Sequence, residues 1–259
     1  MNDDFVGLEE RVRALGLSLA GPVSIAAEID STNDRAKEAA RNDAPHGTIF
    51  IAESQTKGRG RQGRSWISPP GENLLLSIVV RLHRPATRLT TIPIVTGLAL
   101  AEVVKRAVGD APIVGLKWPN DILVDGKKIA GILVESVGKL EDPALVVGIG
   151  LNVHSRSFPE DLRATSIALH SALPPNRATV LIDLLGALDR DLPLAAGRGL
   201  SPFATRLAAA DHLRGREVRS DAGTSGIARG IDDDGRLIVE DSQGTLHRWS
   251  SGEVHLLKV

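Results

Sequence analysis

Residues 113–137 read IVGLKWPNDILVDGKKIAGILVESV, three short apolar runs separated by turn residues. The runs are rich in β-branched residues, as is typical of buried strands, and we predict strands at 113–118, 122–124 and 128–137. Asp125-Gly126 separates the last two strands and is a strong signal for a tight hairpin, because both residues tolerate positive φ. Strands joined by a hairpin pair antiparallel, so the stretch predicts an antiparallel or mixed sheet.

Apolar runs on both sides of this stretch predict more strands and several helices. Runs of strand length predict strands at 23–29, 48–53, 74–82 and 145–153. Helical spacing of apolar residues predicts helices at 8–19, 94–108, 179–192 and 201–213. The capping residues at 30–33 begin a further helix that runs to Arg41. Together these elements predict an α+β fold class with an antiparallel or mixed sheet.

The pattern changes toward the C-terminal end of the chain. From Gly215 onward, short alternating runs are separated by Asp-Gly, Gln-Gly and Ser-Gly turns, which is typical of a small β-barrel. We therefore divide the chain into a larger domain at 1–213 and a β-barrel at 214–259. Some barrel residues could be catalytic, but the spacing favours a packing module.

Composition restricts the class of protein. The chain of 259 residues has 42% hydrophobic residues and a formal net charge of −1, without the basic excess of a dedicated nucleic-acid binder. Cysteine is absent, which excludes disulfides and thiolate catalysis, and the seven histidines lack metal-binding spacing, so protein-bound zinc is not expected. No apolar run approaches the roughly 18 residues of a membrane span, and no signal segment is present, so we expect a cytoplasmic protein.

A basic, glycine-rich segment at 57–64 reads KGRGRQGR and follows a predicted strand. Its four cations and three glycines cannot pack in a core. Glycines let the backbone approach a ligand closely, and guanidinium groups match the oxygens of phosphates and carboxylates. We interpret the segment, termed the basic loop, as a site that wraps a small anion. The alternative is a solvated basic loop without a ligand.

The basic loop also matches the phosphate-binding P-loop pattern, except that Arg64 replaces the lysine. A P-loop must lead into a helix whose N-terminus faces the phosphates. The residues that follow, WISPPG at 66–71, cannot begin a helix because of the paired prolines and the glycine. We therefore expect the cations and the glycine amides to bind the anion without a helix dipole.

Three other motifs place polar groups beside predicted strands. KWPND at 117–121 puts an ammonium, an amide and a carboxylate at a turn. Lys128 opens the strand KIAGILVE, in which Gly131 leaves room for a ligand or another backbone, and GIGLN at 148–152 repeats that arrangement. Each motif alone also has a structural explanation: a solvated lysine, a β-bulge, or a turn closed by an asparagine.

Taken together and in order, these motifs resemble the catalytic core of biotin protein ligases, which attach biotin to carboxylase carrier proteins. The resemblance rests on STN at 31–33, ESQ at 53–55 leading into the basic loop, KWPND, KIAGILVE and GIGLN. It covers residues 23–155 in detail and implies a mixed-sheet, biotin/lipoate ligase-like catalytic domain followed by an SH3-like C-terminal β-barrel. Some family members carry an N-terminal helix-turn-helix. Only residues 1–22 precede Val23 here, so we expect neither DNA binding nor repression.

The resemblance also implies a reaction. Biotin and ATP, with Mg²⁺, give biotinyl-5'-AMP, and a lysine of a biotin carboxyl carrier protein then takes the biotinyl group as an amide. Basic side chains would neutralise the two anions as they meet, so no covalent nucleophile is needed. The implied partners are biotin, ATP and the carrier protein; a homodimer is compatible with the resemblance, and neither DNA nor a membrane is expected.

Matching the family motifs residue by residue implies roles for individual side chains. Lys128 and Arg61 are the implied catalytic residues, and Asp121 is a candidate Mg²⁺ ligand. The residues implied to bind biotin are Ser31, Thr32, Asn33, Gln55, Gly58, Arg59, Gly60, Arg61, Trp66, Lys128 and Gly131. Those implied to bind the nucleotide are Arg61, Arg64, Lys117, Asn120, Asp121, Lys128 and Asn152. Trp66 would wall the apolar side of the pocket, with a core tryptophan as the alternative.

Two other functions are compatible with the sequence. A lipoate or octanoate transferase of related fold also joins an acyl group to a carrier lysine, but it needs no ureido partners such as Ser31, Thr32 and Gln55. A nucleic-acid-binding module would use the basic loop and the barrel. With 3% aromatic residues and no tyrosine, however, the chain offers few stacking surfaces.

Overall fold

The computed structural model describes residues 3–82, 90–138 and 143–257. One sheet contains seven strands: β1 Val23–Ile29, β2 Ile49–Gln55, β3 Leu74–Val80, β4 Val114–Lys117, β5 Asp121–Val124, β6 Lys127–Val137 and β7 Ala144–Leu151. Their order across the sheet is β1-β2-β3-β7-β6-β5-β4. The pair β1 and β2 is parallel and the other neighbours are antiparallel, so the predicted mixed sheet is confirmed.

The hairpin between β5 and β6 has the backbone conformation that its sequence predicts. The φ angle is 49° at Asp125 and 73° at Gly126. Positive φ at both central residues of a two-residue turn matches the twist of the flanking strands. The turn therefore places the KWPND and KIAGILVE motifs on adjacent strands.

A β-bulge in β6 changes which side chains share a face of the sheet. The pairing of β6 with β5 shifts between Ile122 and Leu123, which leaves Ile129 as an extra residue. Side chains of a regular strand alternate between faces, and an extra residue reverses that alternation. As a result, Lys128 and Gly131 lie on the same face of the sheet although they are three positions apart.

Helices cover both faces of this sheet. The described α-helices are α1 Leu8–Ala14, α2 Thr32–Arg41, α3 Ile92–Val108, α4 Arg177–Arg198 and α5 Ala204–Ala210. Ala36 and Ala40 of α2 pack on one face, against Val79 and Val146, while α3 and α4 belong to the main core on the other face. None of the helices described has the length and apolar character needed to cross a bilayer.

Three helices differ from the prediction by at least three residues at one end. The helix expected at 8–19 ends at Ala14, because Gly16 adopts a left-handed conformation with φ 63°. The helix expected to end at 192 continues past Pro193, and the next turn buries Ala195, so packing outweighs the missing proline N–H. The helix expected at 201–213 begins with a 3₁₀ turn and is α-helical only over α5.

A second, antiparallel sheet lies at the C-terminal end: β8 Glu217–Ser220, β9 Ser225–Ile231, β10 Leu237–Glu240, β11 Leu246–Trp249 and β12 Val254–Leu256. The order is β11-β10-β9-β8-β12, so β11 and β12 are edges, and the ring closure of a barrel is not seen among the described strands. The Trp118 indole N–H donates to Gly235 O at 2.8 Å, and Val218 and Val254 share the main core. The second sheet therefore packs directly on the first.

Candidate active site

A cavity opens on the sheet face that carries α2, between β6, β7 and the basic loop. The lining includes thirteen of the residues predicted to form a site: Ser31, Thr32, Asn33, Gln55, Arg59, Gly60, Arg61, Arg64, Trp66, Asn120, Asp121, Lys128 and Gly131. Motifs that are far apart in the sequence therefore meet at one place.

The floor of the cavity is formed by glycine backbone, and the Trp66 indole lies against it. Gly131 on β6 and Gly150 on β7 are direct partners in the antiparallel pair. A Cβ atom at Gly150 would lie 2.4 Å from the indole, and one at Gly131 would lie 3.0 Å from it. Glycine at these positions is thus what allows the ring to lie on the sheet. Within the described chain the buried indole nitrogen has no hydrogen-bond partner.

The bulge in β6 directs Lys128 into the cavity. Its Nζ lies 2.7 Å from Asp121 Oδ1 and 5.6 Å from the centroid of the Trp66 ring. The backbone is held from the other side, because Lys128 N donates to Arg163 O and Thr165 N donates to Lys128 O, each at 2.8 Å. The main chain is fixed while the partly exposed ammonium is free to exchange its carboxylate partner for a ligand anion.

The N-terminus of α2 supplies polar groups at one end of the cavity. Ser31 caps the helix, and its Oγ accepts from Asp34 N at 3.4 Å. Thr32 N donates to Gln55 Oε1 at 2.7 Å, and Thr32 Oγ1 lies 3.1 Å from the same oxygen. These contacts orient the Gln55 amide so that its Nε2 is available as a donor.

Arg59 anchors the start of the basic loop to α2 and β6. Its guanidinium lies 2.6 Å from Asp34 Oδ1 and 3.0 Å from Glu135 Oε1. Lys37 pairs with the same two carboxylates, at 2.9 and 3.0 Å. Burial opposes ionisation of both acids, yet hydrogen bonds hold the pKa of each below its ordinary value. Glu135 accepts from Asn33 and Lys37, and Asp34 accepts from Lys37 and Arg59. The Arg59 side chain is therefore committed to the protein.

Arg61 lies half-buried without a close acidic partner. Its Nη1 donates to Asn120 Oδ1 at 3.0 Å, and no Asp or Glu in the described ranges lies within ion-pair distance of it. Burial lowers the pKa of Arg61. The negative charges of Glu253 and Asp121 oppose this shift, and the positive charge of Arg64 adds to it. Arginine stays protonated in proteins, so this is an incompletely neutralised cation that an anionic ligand would stabilise.

Glu253, just before the last described strand of the C-terminal sheet, lines the cavity. Arg64 forms an ion pair with Glu253, which precedes β12. The loop around Arg64 contains a single 3₁₀ turn, Arg61–Gly63, and no helix follows it through residue 73. The predicted absence of a P-loop helix after the basic loop is confirmed.

Comparison with known proteins agrees with this geometry. Residues 25–152 match the Biotin/lipoate A/B protein ligase family, and residues 215–257 match the Biotin protein ligase C terminal domain. The bifunctional ligase/repressor BirA of Escherichia coli is 37% identical over 252 residues, which cover 93% of this chain and 76% of BirA. The chain belongs to the biotin protein ligase family.

Shorter members of the family are similar over most of their length. The biotin–[acetyl-CoA-carboxylase] ligase of Mycobacterium tuberculosis is 34% identical over 242 residues, covering 90% of this chain and 89% of the relative. The biotin protein ligase of Aquifex aeolicus in complex with biotin and ATP is 30% identical with a TM-score of 0.78, covering 92% of this chain and 99% of that structure. This biotin protein ligase is accordingly an ATP-dependent enzyme, as the resemblance implied.

Three residues implied by the resemblance to biotin protein ligases lie outside the cavity: Gly58, Lys117 and Asn152. Gly58 O accepts from Trp66 N at 3.0 Å and closes the base of the basic loop. The positive charge of Lys117 helps to lower the pKa of His212, a residue that precedes the C-terminal sheet. Asn152 Nδ2 donates to Thr165 O at 3.0 Å.

Nine further residues line the cavity of this biotin protein ligase but were not assigned to the site from the sequence: Ser65, Leu75, Leu76, Ile132, Leu133, Gly148, Ile149, Gly150 and Glu253. Gly148 and Gly150 lie in a quoted motif, and strand alternation places them on one face with Leu75 of β3. No local signal marks Glu253, because it reaches the cavity only through the packing of the second sheet.

Proposed function

We propose that this biotin protein ligase converts biotin and ATP to biotinyl-5'-AMP and transfers the biotinyl group to a lysine of a biotin carboxyl carrier protein. The observation that carries the proposal is the convergence of Lys128, Arg61 and Arg64 on one cavity beside the polar N-terminus of α2. Cations at one end and hydrogen-bonding groups at the other suit a ligand that has a carboxylate tail and a polar ring.

Biotin would bind with its ureido ring at α2 and its carboxylate near Lys128. Ser31, Thr32 and Gln55 offer both donors and acceptors there. Asn33 donates from Nδ2 to Leu133 O and Glu135 Oε2, at 3.3 and 2.9 Å, so we assign it a supporting role. The side chain of Arg59 supports the loop in the same way, which leaves the backbone amide of Arg59 as the group that would contact biotin.

In the first step a carboxylate oxygen of biotin attacks the α-phosphorus of ATP, and pyrophosphate leaves. Two anions must approach each other, and Lys128 and Arg61 place positive charge where negative charge develops in the transition state. Holding both reactants in one cavity also removes part of the entropic barrier. Arg64 would bind the departing phosphates after it releases Glu253.

In the second step the amine of the carrier lysine attacks the acyl carbon of the adenylate. AMP leaves, the amine loses a proton and an amide forms. The enzyme then acts by positioning and electrostatics, and no side chain forms a covalent intermediate. The cavity is open to solvent, which would give the carrier lysine a route to the adenylate.

The oxygen atoms of the cavity fit Mg²⁺ bound together with the nucleotide. Asp121 and Glu253 offer carboxylate oxygens, and Asn120 offers an amide oxygen. Mg²⁺ prefers such ligands and is usually held by one or two carboxylates plus substrate phosphates. The ion would neutralise phosphate charge, and Asp121 is our candidate ligand because it lies beside Lys128 on the sheet.

Several finer points of the function belong to the same proposal. The name of the Mycobacterium tuberculosis relative supports a carboxylase carrier as the acceptor. We place the enzyme in the cytoplasm and divide its domains after residue 213, close to the start of β8 at Glu217. Sedimentation with and without biotin and ATP tests the homodimer, and a mobility-shift assay with duplex DNA tests the expected lack of DNA binding.

Mass spectrometry of the acceptor tests the proposed function. The protein is incubated with biotin, MgATP and a biotin carboxyl carrier domain, and the carrier is then weighed and sequenced by fragmentation. We expect one biotinyl group on a single lysine, and none when ATP is omitted. Replacing biotin with lipoate should leave the carrier unmodified; lipoylation at a comparable rate would favour the related transferase function.

A further inference from the structure

Ser77 on β3 is a polar residue buried beneath the proposed head-group site. This site is the end of the cavity where Ser31, Thr32 and Gln55 would hold the ureido ring of biotin. Its exposed fraction is 0%, and it lies on the sheet face that carries α2. Its Oγ lies 2.6 Å from Asn33 Oδ1 and 2.9 Å from Thr32 Oγ1. It does not line the cavity, so it can influence a ligand only through these two neighbours.

The direction of the hydrogen bond between Ser77 and Asn33 follows from the surroundings of the Asn33 amide. Asn33 Nδ2 lies 3.3 Å from Leu133 O and 2.9 Å from Glu135 Oε2, and both atoms are acceptors. The amide nitrogen must therefore face them, and the amide oxygen must face Ser77. A carbonyl oxygen cannot donate, so Ser77 donates its single hydroxyl hydrogen to Asn33.

The hydroxyl of Thr32 is consequently surrounded by acceptors within the protein. Gln55 Oε1 accepts from Thr32 N at 2.7 Å, which fixes that atom as the amide oxygen. Ser77 has already used its hydrogen, so its oxygen can only accept from Thr32. Whichever of the two accepts, the Thr32 hydroxyl hydrogen points into the protein and its free lone pair is left for the cavity.

We propose that Ser77 is a positioning residue that sets the hydrogen-bond polarity of the head-group site. Ser77, together with Gln55 Oε1, makes Thr32 an acceptor, while the orientation of Gln55 makes its Nε2 a donor. This inference rests on the proposed function, because a ureido ring carries N–H donors beside a carbonyl acceptor and needs both kinds of partner. Gly148 permits the arrangement, since a Cβ there would lie 1.9 Å from Asn33 Oδ1.

A double-mutant cycle with Ser77→Ala and Thr32→Val tests the inference. Both substitutions are nearly isosteric, and biotin affinity is measured by isothermal titration calorimetry. We expect Ser77→Ala to weaken biotin binding about tenfold. It should leave the KM for ATP, and kcat at saturating biotin, within about twofold of the unaltered protein. In the Thr32→Val background, Ser77→Ala should have almost no further effect, because the hydroxyl through which it acts is gone.

Ser166→Ala is the matched control, because it removes another fully buried serine hydroxyl, which donates to Ser155 O outside the cavity. It should lower the melting temperature without changing biotin affinity. Unchanged biotin affinity in Ser77→Ala, or a full effect that persists in the Thr32→Val background, would overturn the inference alone. If the unaltered protein itself bound no biotin, the proposed function would fail and the inference with it.

Discussion

Lys128 and Asp121 form an ion pair on adjacent strands, with 2.7 Å between Nζ and Oδ1. Asp121 is the first residue of β5, and Lys128 follows the hairpin that joins β5 to β6. The pair holds the ammonium at the cavity before any ligand arrives, so little reorganisation is needed when charge develops during the reaction. A ligand carboxylate or phosphate then has to compete with Asp121 for this cation.

Replacing Lys128 with alanine should chiefly abolish adenylate formation. The substitution removes the charge nearest to the reacting groups, and we expect the single-turnover rate of biotinyl-5'-AMP synthesis to fall by about 100-fold or more. The matched control is Lys127→Ala, which removes an exposed ammonium one residue away and should keep the normal rate. Equal rates for Lys128→Ala and Lys127→Ala would remove Lys128 from the chemistry.

Replacing Arg61 with alanine should release the adenylate before transfer. Arg61 is half-buried and incompletely neutralised, so its loss removes attraction for the adenylate phosphate and opens the basic loop. We expect weaker biotin binding and increased biotinylation of bystander lysines on an added protein, detected by streptavidin blot. Lys57→Ala, at the exposed start of the loop, is the control and should give no bystander labelling. Tight retention of adenylate by Arg61→Ala would contradict the role.

Replacing Gly150 with alanine should displace the Trp66 indole. The new Cβ would lie 2.4 Å from the ring, and relieving that overlap should cost about 1–3 kcal/mol of folding stability or move the ring into the cavity. Biotin affinity, measured by calorimetry, should fall. Adding Trp66→Ala to Gly150→Ala should recover the folding stability lost to the overlap, and a double variant no more stable than Gly150→Ala would show that the ring is not the obstacle.

His212 predicts how folding stability depends on pH. Burial, with the charges of Arg216 and Lys117, lowers the pKa of His212 to about 4, below its ordinary value of 6.5. The unfolded chain therefore binds a proton that the folded chain rejects, and stability falls as pH decreases from about 6.5 toward 4. Between pH 7 and pH 5 the loss should be about 1 kcal/mol after allowance for partial exposure.

Urea unfolding of the unaltered protein and of His212→Gln at both pH values checks this prediction. The variant should lose less stability than the unaltered protein between pH 7 and pH 5, because glutamine does not titrate. The same pH dependence in both proteins would contradict the lowered pKa.

The strands and the motif positions could be predicted from the sequence because their signals are local. The Asp125-Gly126 turn and the apolar runs around it determine β5 and β6 without help from distant residues. The shared orientation of Lys128 and Gly131 could not be predicted in this way, because regular alternation puts residues three apart on opposite faces. Only the register shift beside Ile129 brings them together.

Residues that reach the site only through tertiary packing also could not be predicted from local sequence patterns. Glu253 reaches Arg64 only because the second sheet packs on the first, and its sequence surroundings resemble an ordinary turn. Ser77 lies within an apolar strand run, where a single serine gives no indication that it contacts Thr32 and Asn33. Such contacts link parts of the chain that no short-range pattern connects.

The exchange of labelled pyrophosphate into ATP tests most directly whether the basic loop and Lys128 hold biotin and nucleotide close enough to react. Exchange requires the adenylate to form reversibly, so it reports the first step without the carrier. We predict rapid exchange only when biotin and MgATP are both present. Exchange that does not occur with both substrates, or that proceeds equally well without biotin, would contradict the account.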